Sequence, residues 1–172
     1  MAKVDGSQCK MTAQSKTAIS RCFSSGGPAV LEDFYHWLES ALAGYPLGKE
    51  ESNRVIMATA EAFSNAVQHG NRSNPQKKVE VEMILSGNGL TLRVGDEGDG
   101  SKPYPSRKST LFDTSGRGWE LMHKLADAVS IRLENGFFWV ELSFKMPKEK
   151  REQLREKGGP KDAGKIRSGG RR

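Results

Sequence analysis

The 172 residues carry 27 Lys and Arg side chains against 21 Asp and Glu, which gives a formal net charge of +6. From Pro147 onward, ten basic and four acidic residues account for that whole excess, so residues 1–146 are formally neutral. A fold that binds nucleic acid through its whole surface is therefore disfavoured. The length suits one domain with a hydrophobic core of ordinary size.

The cysteines and the hydropathy indicate the compartment. Cys9 and Cys22 are the two cysteines, and neither has metal-ligand spacing to a histidine, so neither a disulfide framework nor a zinc site is indicated. No apolar stretch has the length of a membrane span, and the N-terminus lacks the apolar region of a secretion signal. The sequence therefore predicts a cytoplasmic protein without a membrane segment.

The N-terminal part of the chain predicts an arm, a strand and a helix. Residues 1–15 are polar and without period, which is typical of a flexible arm. Thr17 to Phe23 is compatible with an edge strand. An amphipathic helix is predicted after Pro28, because apolar residues recur at helical spacing up to Gly44.

The middle of the chain changes period. A second helix is predicted from Lys49 or Glu50 to His69, before the helix-ending signal Gly70-Asn71. Two alternating strands follow over Val79–Leu85 and Leu90–Val94, and Gly87-Asn88-Gly89 between them is typical of a hairpin.

The last part of the body begins with the segment Gly95 to Gly118, which has no period and is predicted to be a long loop. A third helix over Trp119–Asp127 and a second hairpin, with strands Val129–Leu133 and Phe138–Phe144, complete the elements. This order predicts an α+β fold, a two-layer sandwich with helices on one face of a mostly antiparallel sheet.

The domain is predicted to cover residues 16–146. Residues 147–172 form a basic tail with few aliphatic side chains, too few to offset the entropy of ordering. Disorder is predicted there, after one extra helical turn at Glu149 to Arg155.

The first candidate motif lies on the second helix. Glu61 and Asn65 are one turn apart, with Gln68 and His69 one turn further along the same face. A carboxylate and a carboxamide in this arrangement could hold a hydrated Mg²⁺, or could pair a general base with an oxygen ligand. The alternative is an ordinary solvated helix face.

The second candidate motif is Gly95-Asp96-Glu97-Gly98-Asp99-Gly100, directly after an alternating strand. Its glycines let the backbone approach a ligand, and the carboxylate at the strand end could accept a hydrogen bond from an exocyclic amine. No Gly-Lys-Ser or Gly-Lys-Thr follows, so the motif is not a Walker phosphate loop. A flexible acidic turn or a weak cation loop is the alternative.

The third candidate motif, Ser115-Gly116-Arg117-Gly118, opens the third helix. The unpaired N–H groups of a first helical turn favour an anion, and Arg117 would add a charge-assisted contact. The alternative is a mobile helix cap.

The three motifs in this order resemble the GHKL ATPase superfamily and, within it, the anti-sigma factor serine/threonine-protein kinases of bacteria, also called anti-sigma regulatory factors. Glu61 to Gly70 is similar to the family's N box, Glu-x-x-x-Asn-Ala-x-x-His-Gly. Asp96 to Gly100 is similar to its Asp-x-Gly-x-Gly box, and Gly116 to Gly118 to its second glycine box. The resemblance covers roughly Thr17 to Phe144.

The resemblance implies a role for each matching residue. Asn65 would coordinate the Mg²⁺ that bridges the ATP phosphates, and Glu61 would act as general base toward the attacking hydroxyl. Asp96 would accept a hydrogen bond from the adenine amino group. The other residues expected at the nucleotide are His69 and Gly70 at the end of the N-box helix, Gly98 and Gly100 beside the nucleotide, and Ser115, Gly116, Arg117 and Gly118 over the phosphates.

For function, the resemblance implies an ATP-dependent kinase that phosphorylates a serine on a small STAS-type anti-anti-sigma protein and sequesters a sigma factor, usually as a homodimer. Direct binding to nucleic acid is not expected. Two departures, the short lid Ser101–Ser115 and Trp119 in place of an aliphatic residue or Phe, leave open a nucleotide-gated binding protein without kinase activity. A sensor histidine kinase fragment is a weaker alternative, because His36 is flanked by bulky aromatic residues.

Overall fold

The computed structural model describes residues 17–86, 89–98 and 117–156. Within these ranges five strands form one sheet in the order β1-β2-β3-β5-β4, and every neighbouring pair is antiparallel. The strands are β1 (Thr17–Ser24), β2 (Lys78–Ser86), β3 (Gly89–Asp96), β4 (Ala128–Glu134) and β5 (Phe137–Lys145). The helices are α1 (Val30–Leu42), α2 (Lys49–Asn65), α3 (Arg117–Leu125) and α4 (Lys148–Glu156), and a π-helical turn over Ala66–Gly70 continues α2.

The predicted α+β sandwich is confirmed, and β1 is an edge strand as expected. Alternation along the strands sends one set of side chains to the helices, and β2 and β3 bury apolar side chains on that face almost completely. An aromatic cluster joins the sheet to the helices. In it Phe34 of α1 stacks on Phe63 of α2 with ring centroids 4.1 Å apart, and Phe23 of β1 meets both rings edge-on. Trp37 of α1 also meets Phe23 edge-on, with ring centroids 5.9 Å apart.

The opposite face of the sheet carries a smaller polar cluster. Trp139 points to this face, as the alternation predicts, yet only 6% of its surface is exposed. The guanidinium of Arg93 lies over its ring, 4.4 Å from the ring centroid, and forms ion pairs with Glu82 and Glu134. The cluster therefore buries an aromatic ring on a face that no described helix covers.

The helix α4 begins where the basic tail begins. Its Lys150 pairs with the carboxylate of Glu51, which also accepts the N–H of Gly48 at 2.7 Å and so satisfies the start of α2. These two hydrogen bonds lower the pKa of Glu51. The helix spans nine residues, longer than the single turn predicted, and residues 157–172 lie outside the described residues.

Two helix boundaries differ from the sequence prediction. The α-helical part of α2 ends at Asn65 instead of His69, because the following five residues form a wider, π-helical turn. Helix α3 starts at Arg117, so Gly118 lies inside its first turn, and it ends at Leu125 instead of Asp127. The earlier end follows from the sheet, because the N–H of Asp127 donates to the carbonyl of Ser143. None of the helices described is long and apolar enough to span a membrane.

Candidate functional site

Glu61 and Asn65 lie together on α2, as the spacing predicts. The Asn65 Nδ2 amide donates to Glu61 Oε1 at 3.4 Å, and both side chains are partly buried. This hydrogen bond leaves the Asn65 Oδ1 oxygen as a second polar atom beside the carboxylate. A carboxylate and an amide oxygen are thus adjacent at the C-terminal part of the helix.

The first turn of α3 lies directly on the Glu61 carboxylate. A Cβ atom placed at Gly118 would overlap that carboxylate, so any other residue at this position would displace the Glu61 side chain. The first and third sequence motifs are therefore neighbours in space. They place a carboxylate at a helix N-terminus, where backbone N–H groups favour negative charge.

The second motif lies against the end of the first. Asp96 ends β3 and is buried, with 6% of its surface exposed, and its Oδ1 atom accepts the N–H of Gly98 at 2.8 Å. A Cβ atom at Gly70 would overlap the Asp96 carboxylate. Because of this close approach, the backbone after the N-box helix and the end of β3 enclose a single carboxylate.

Glu97 fixes the loop that follows Asp96. Its carboxylate accepts the N–H of Lys78 at 2.5 Å, and its carbonyl oxygen accepts a hydrogen bond from Lys77 Nζ at 3.0 Å. Both contacts are to the start of β2, so Glu97 binds the neighbouring strand. The alternative of a flexible acidic turn does not fit the part of this motif that the structure describes.

Sequence reasoning missed Asn71, which we interpreted only as a helix-ending residue. Its side chain is 1% exposed, and its Nδ2 donates to Ser25 Oγ at 2.6 Å and to the carbonyl of Lys78 at 2.8 Å. Its own N–H donates to the carbonyl of Ala66 at 2.8 Å and closes the π-helical turn. Asn71 thereby joins the end of α2 to β1 and β2. An Asn next to the last glycine of the N box was the only signal for this role in the sequence.

Of the remaining predicted residues, some are exposed on the surface and the others lie outside the ranges that the structure describes. His69, in the π-helical turn, and Arg117, at the start of α3, both have exposed side chains. Gly100, Ser115 and Gly116 lie outside the described residues. The structure therefore brings together Glu61, Asn65 and Gly118 in one half of the site and Gly70, Asp96 and Gly98 in the other.

The donor set fits a purine nucleotide with a divalent ion. A buried carboxylate between two glycine backbones can accept a hydrogen bond from an exocyclic amine. Among the described residues, no group of three or more His, Cys, Asp and Glu side chains could hold a metal ion. An ion at Asn65 would thus take most of its ligands from phosphate and water, which is the usual arrangement for Mg²⁺.

The comparison with known protein families agrees with this geometry. The family model for the histidine kinase-like ATPase domain matches residues 26–144, well over half of the chain. The chain belongs to the histidine kinase-like ATPase domain family. The resemblance to the GHKL superfamily is thus confirmed, and the matched region of this ATPase domain contains all three motifs.

Curated relatives of the ATPase domain are anti-sigma factors. The anti-sigma F factor of Bacillus cytotoxicus is 31% identical over 94 residues, which cover 51% of this chain and 64% of that protein. The anti-sigma F factor of Anoxybacillus flavithermus is 28% identical over 88 residues, which cover 48% of this chain and 60% of that protein. The matches span less than two thirds of the length of these relatives.

A solved structure confirms the fold of the ATPase domain. The RsbU and RsbW domains of a Mycobacterium tuberculosis protein superpose with a TM-score of 0.55 at 17% identity. The match covers 76% of this chain and 33% of the other. The structural likeness supports the ATPase-like fold, and the sequence matches show that the domain is similar to anti-sigma F factors.

Proposed function

We propose that this protein is a cytoplasmic, MgATP-binding anti-sigma factor with serine/threonine kinase activity. Its substrate would be a serine on a STAS-type anti-anti-sigma protein, and its binding target a sigma factor. The observation that carries the proposal is that one continuous stretch, Glu61 to Gly70, contacts both other motifs: Gly118 at its beginning and Asp96 at its end. The names of the curated relatives support the regulatory part of the proposal.

The adenine end of ATP would lie at Asp96. The carboxylate is buried and oriented by the Gly98 N–H, and a carboxylate oxygen can accept more than one hydrogen bond, including one from the adenine amino group. The backbones of Gly70 and Gly98 pass close to this carboxylate on either side, and a side chain at either position would meet it. Guanine presents a carbonyl oxygen in place of that amino group, and two acceptors facing each other would disfavour it.

The phosphate end would lie between α2 and the first turn of α3. The N–H groups of a first helical turn favour an anion, and Arg117 at the start of α3 would add positive charge. The Asn65 amide oxygen would hold Mg²⁺, which supplies charge neutralisation for the phosphoryl group when bound.

Glu61 would receive the proton during transfer. In this proposal the serine oxygen bonds to the γ-phosphorus, the bond from that phosphorus to the β–γ bridging oxygen breaks, and the hydroxyl proton moves to the Glu61 carboxylate. The hydrogen bond from Asn65 orients the carboxylate, and the α3 N–H groups stabilise charge that develops on the phosphoryl oxygens.

Helix α1 offers a surface for a partner. Its exposed side chains include Glu32, Asp33 and Glu39, and Tyr35 is 41% exposed. No Lys or Arg occurs between Val30 and Leu42. This acidic face with an exposed aromatic ring suits a basic protein surface better than a nucleic acid.

The protein is proposed to act as a homodimer.

The test is incubation with MgATP and a STAS-type partner, followed by detection of phosphoserine by mass spectrometry. A Glu61→Gln variant should transfer phosphate at least about 100-fold more slowly than the wild type, which is the loss typical of a missing general base. Its ATP affinity should stay close to that of the wild type. An Asp96→Asn variant is the matched control and should lose ATP affinity. Normal transfer by Glu61→Gln would contradict the assignment of the base.

The second candidate function is a nucleotide-gated binding protein that leaves its partner unmodified. Trp119, directly after Gly118 in the first turn of α3, is the described departure from the kinase pattern, and its ring meets His123 edge-on at 5.1 Å. Tight ATP binding with an unchanged partner mass after prolonged incubation would favour this candidate over the kinase.

A further inference from the structure

Helices α2 and α3 meet at two separate places, and the pairing is antiparallel. Glu61, late in α2, lies against Gly118 in the first turn of α3. Arg54, earlier in α2, contacts Leu125 at the last residue of α3. Each helix advances seven residues between its two contacts, which is about 10.5 Å or two turns. Glu61 and Arg54 therefore lie on one face of α2, and Gly118 and Leu125 lie on the face of α3 that meets it.

Arg54 makes two hydrogen bonds to one acceptor at the end of α3. Its Nε and Nη2 atoms both donate to the carbonyl oxygen of Leu125, at 3.1 and 2.7 Å, and Nη2 lies 3.8 Å from Asp127 Oδ2. A cation at the last carbonyl of a helix satisfies an otherwise unpaired acceptor and interacts favourably with the helix dipole. We call this group, Arg54 with Leu125 and Asp127, the Arg54 clamp.

The Arg54 clamp also connects to the sheet. The Asp127 carboxylate accepts the N–H of Lys145 at 2.8 Å, and the Asp127 N–H donates to the carbonyl of Ser143 at 2.9 Å. The C-terminal end of α3 is thus held between α2 on one side and β5 on the other.

The C-terminal end of α3 packs on the core through Met122, Leu125 and Ala126, but one side of it is open. A groove of about 450 Å³ runs beside the clamp, and its lining residues are Lys49, Glu50, Asn53, Arg54, Met57 and Leu125. Met57 on the groove wall is 51% exposed. Helix α3 has nine residues and buries Met122, and a helix of that length is not stable by itself. Its position along α2 therefore depends on tertiary contacts, which include this packing and the hydrogen bonds from Arg54 to Leu125.

We propose that Arg54 is a positioning residue, which sets the register of α3 along α2 so that the first turn of α3 lies on Glu61. Arg54 acts through the carbonyl oxygen of Leu125. That residue lies two turns along α3 from Gly118, the residue that contacts the Glu61 carboxylate. The inference rests on the proposed function, because it predicts an effect on the phosphate end of the nucleotide. The adenine end at Asp96 is held by β3 and the π-helical turn, whereas the hydrogen bonds described for the clamp join α2 to α3 and α3 to β5.

The experiment compares full-length wild type with Arg54→Ala, Arg54→Lys and the matched control Asn53→Ala, an exposed neighbour in the same groove. Isothermal titration gives the affinity for MgATP and for adenosine, which lacks phosphates. Arg54→Ala should weaken MgATP binding about tenfold, as expected for the loss of charge-assisted hydrogen bonds, with adenosine binding unchanged. Arg54→Lys should restore part of the loss, since an ammonium group can still donate to Leu125 but in a single direction. Asn53→Ala should match the wild type.

Hydrogen–deuterium exchange without nucleotide provides an independent readout. Exchange in Arg54→Ala should become faster in α3 and stay unchanged in β2 and β3. Unchanged exchange of α3, or an equal loss of MgATP and adenosine binding with faster exchange throughout, would overturn the proposal. If the wild type binds neither ligand, the proposed function is wrong, and the exchange of α3 then decides by itself whether Arg54 sets the helix position.

Discussion

Asn71 shows how much of the site geometry depends on one buried amide. It lies directly after Gly70, whose backbone contacts Asp96, and its side-chain donors bind Ser25 and the carbonyl of Lys78. The two residues that follow, Arg72 and Ser73, have left-handed φ values of 54° and 53°, which are unfavourable for residues with a Cβ atom. The hydrogen bonds of Asn71 therefore stabilise a turn that its neighbours disfavour.

We predict that Asn71→Ala lowers the free energy of unfolding by about 1–3 kcal/mol, because the buried Ser25 hydroxyl and the partly buried carbonyl of Lys78 both lose their partner. Urea denaturation followed by circular dichroism measures the change. The control is Asn53→Ala on the surface of α2, for which a change within about 0.5 kcal/mol is expected. Equal stabilities of the two variants would show that the Asn71 hydrogen bonds are not needed for the turn.

At the level of elements, helix α2 could be predicted from the sequence, but the π-helical turn that follows it could not. The apolar pattern continues through Val67, which is buried as in a regular helix, so periodicity extends α2 to His69. One wider turn leaves that pattern intact, yet it changes the direction of the chain and brings Gly70 to Asp96. Strands and hairpins were predictable because alternation and turn residues are local signals.

The strand order and the helix contacts were not predictable in this way. Strand β5 inserts between β3 and β4, which depends on packing and not on the order along the chain. Arg54 and Leu125 are 71 residues apart in sequence, and neither residue type marks a contact by itself. The three motifs identified the candidate residues, while their pairing as Glu61 with Gly118 and Gly70 with Asp96 required the structure.

The contact between α2 and α4 should contribute less to the stability of the fold in acid. The pKa of Glu51 is lowered by hydrogen bonds from Lys150 and from the Gly48 N–H, so its ionised form stabilises the fold above its ordinary pKa near 4.5. That stabilisation is lost as the pH falls through the lower pKa of the folded state.

We predict that Glu51→Gln is less stable than the wild type at pH 7 and that the difference shrinks toward zero as the pH falls through the lowered pKa of Glu51. Urea denaturation at a series of pH values measures it. Glu50→Gln, an exposed neighbour in the same first turn, should show a smaller difference at every pH. A difference for Glu51→Gln that is independent of pH would contradict the ionic role of this carboxylate.

At the scale of the whole molecule, the net charge and the candidate site lie in different parts of the chain. The site uses α2, the π-helical turn, β3 and α3, all within the formally neutral residues 1–146. Of the basic segment, α4 is attached to the start of α2 through Lys150. The segment is therefore proposed to be an accessory for solubility or docking, with an attraction to acidic partners that weakens as salt rises.

We predict that deletion of residues 157–172 leaves the affinity for MgATP within about twofold of the wild type, because all the candidate site residues lie outside this segment and the attraction of exposed charges is screened by salt. Deletion of residues 148–172 should also preserve the affinity, but it should lower the stability, since it removes the contact between Lys150 and Glu51. Titration calorimetry and thermal denaturation measure the two effects. A collapse of nucleotide affinity in either deletion would contradict the separation of tail and site.

The three tryptophans of the chain each lie in a different environment. Trp37 packs against the aromatic cluster, Trp139 is buried under Arg93 on the far face of the sheet, and Trp119 adjoins Gly118 at the start of α3. Their intrinsic fluorescence can therefore distinguish events in three regions without an attached dye. With Trp37 and Trp139 replaced by phenylalanine, the remaining emission would come from the helix that meets Glu61, so that the protein carries its own optical probe for this part of the site.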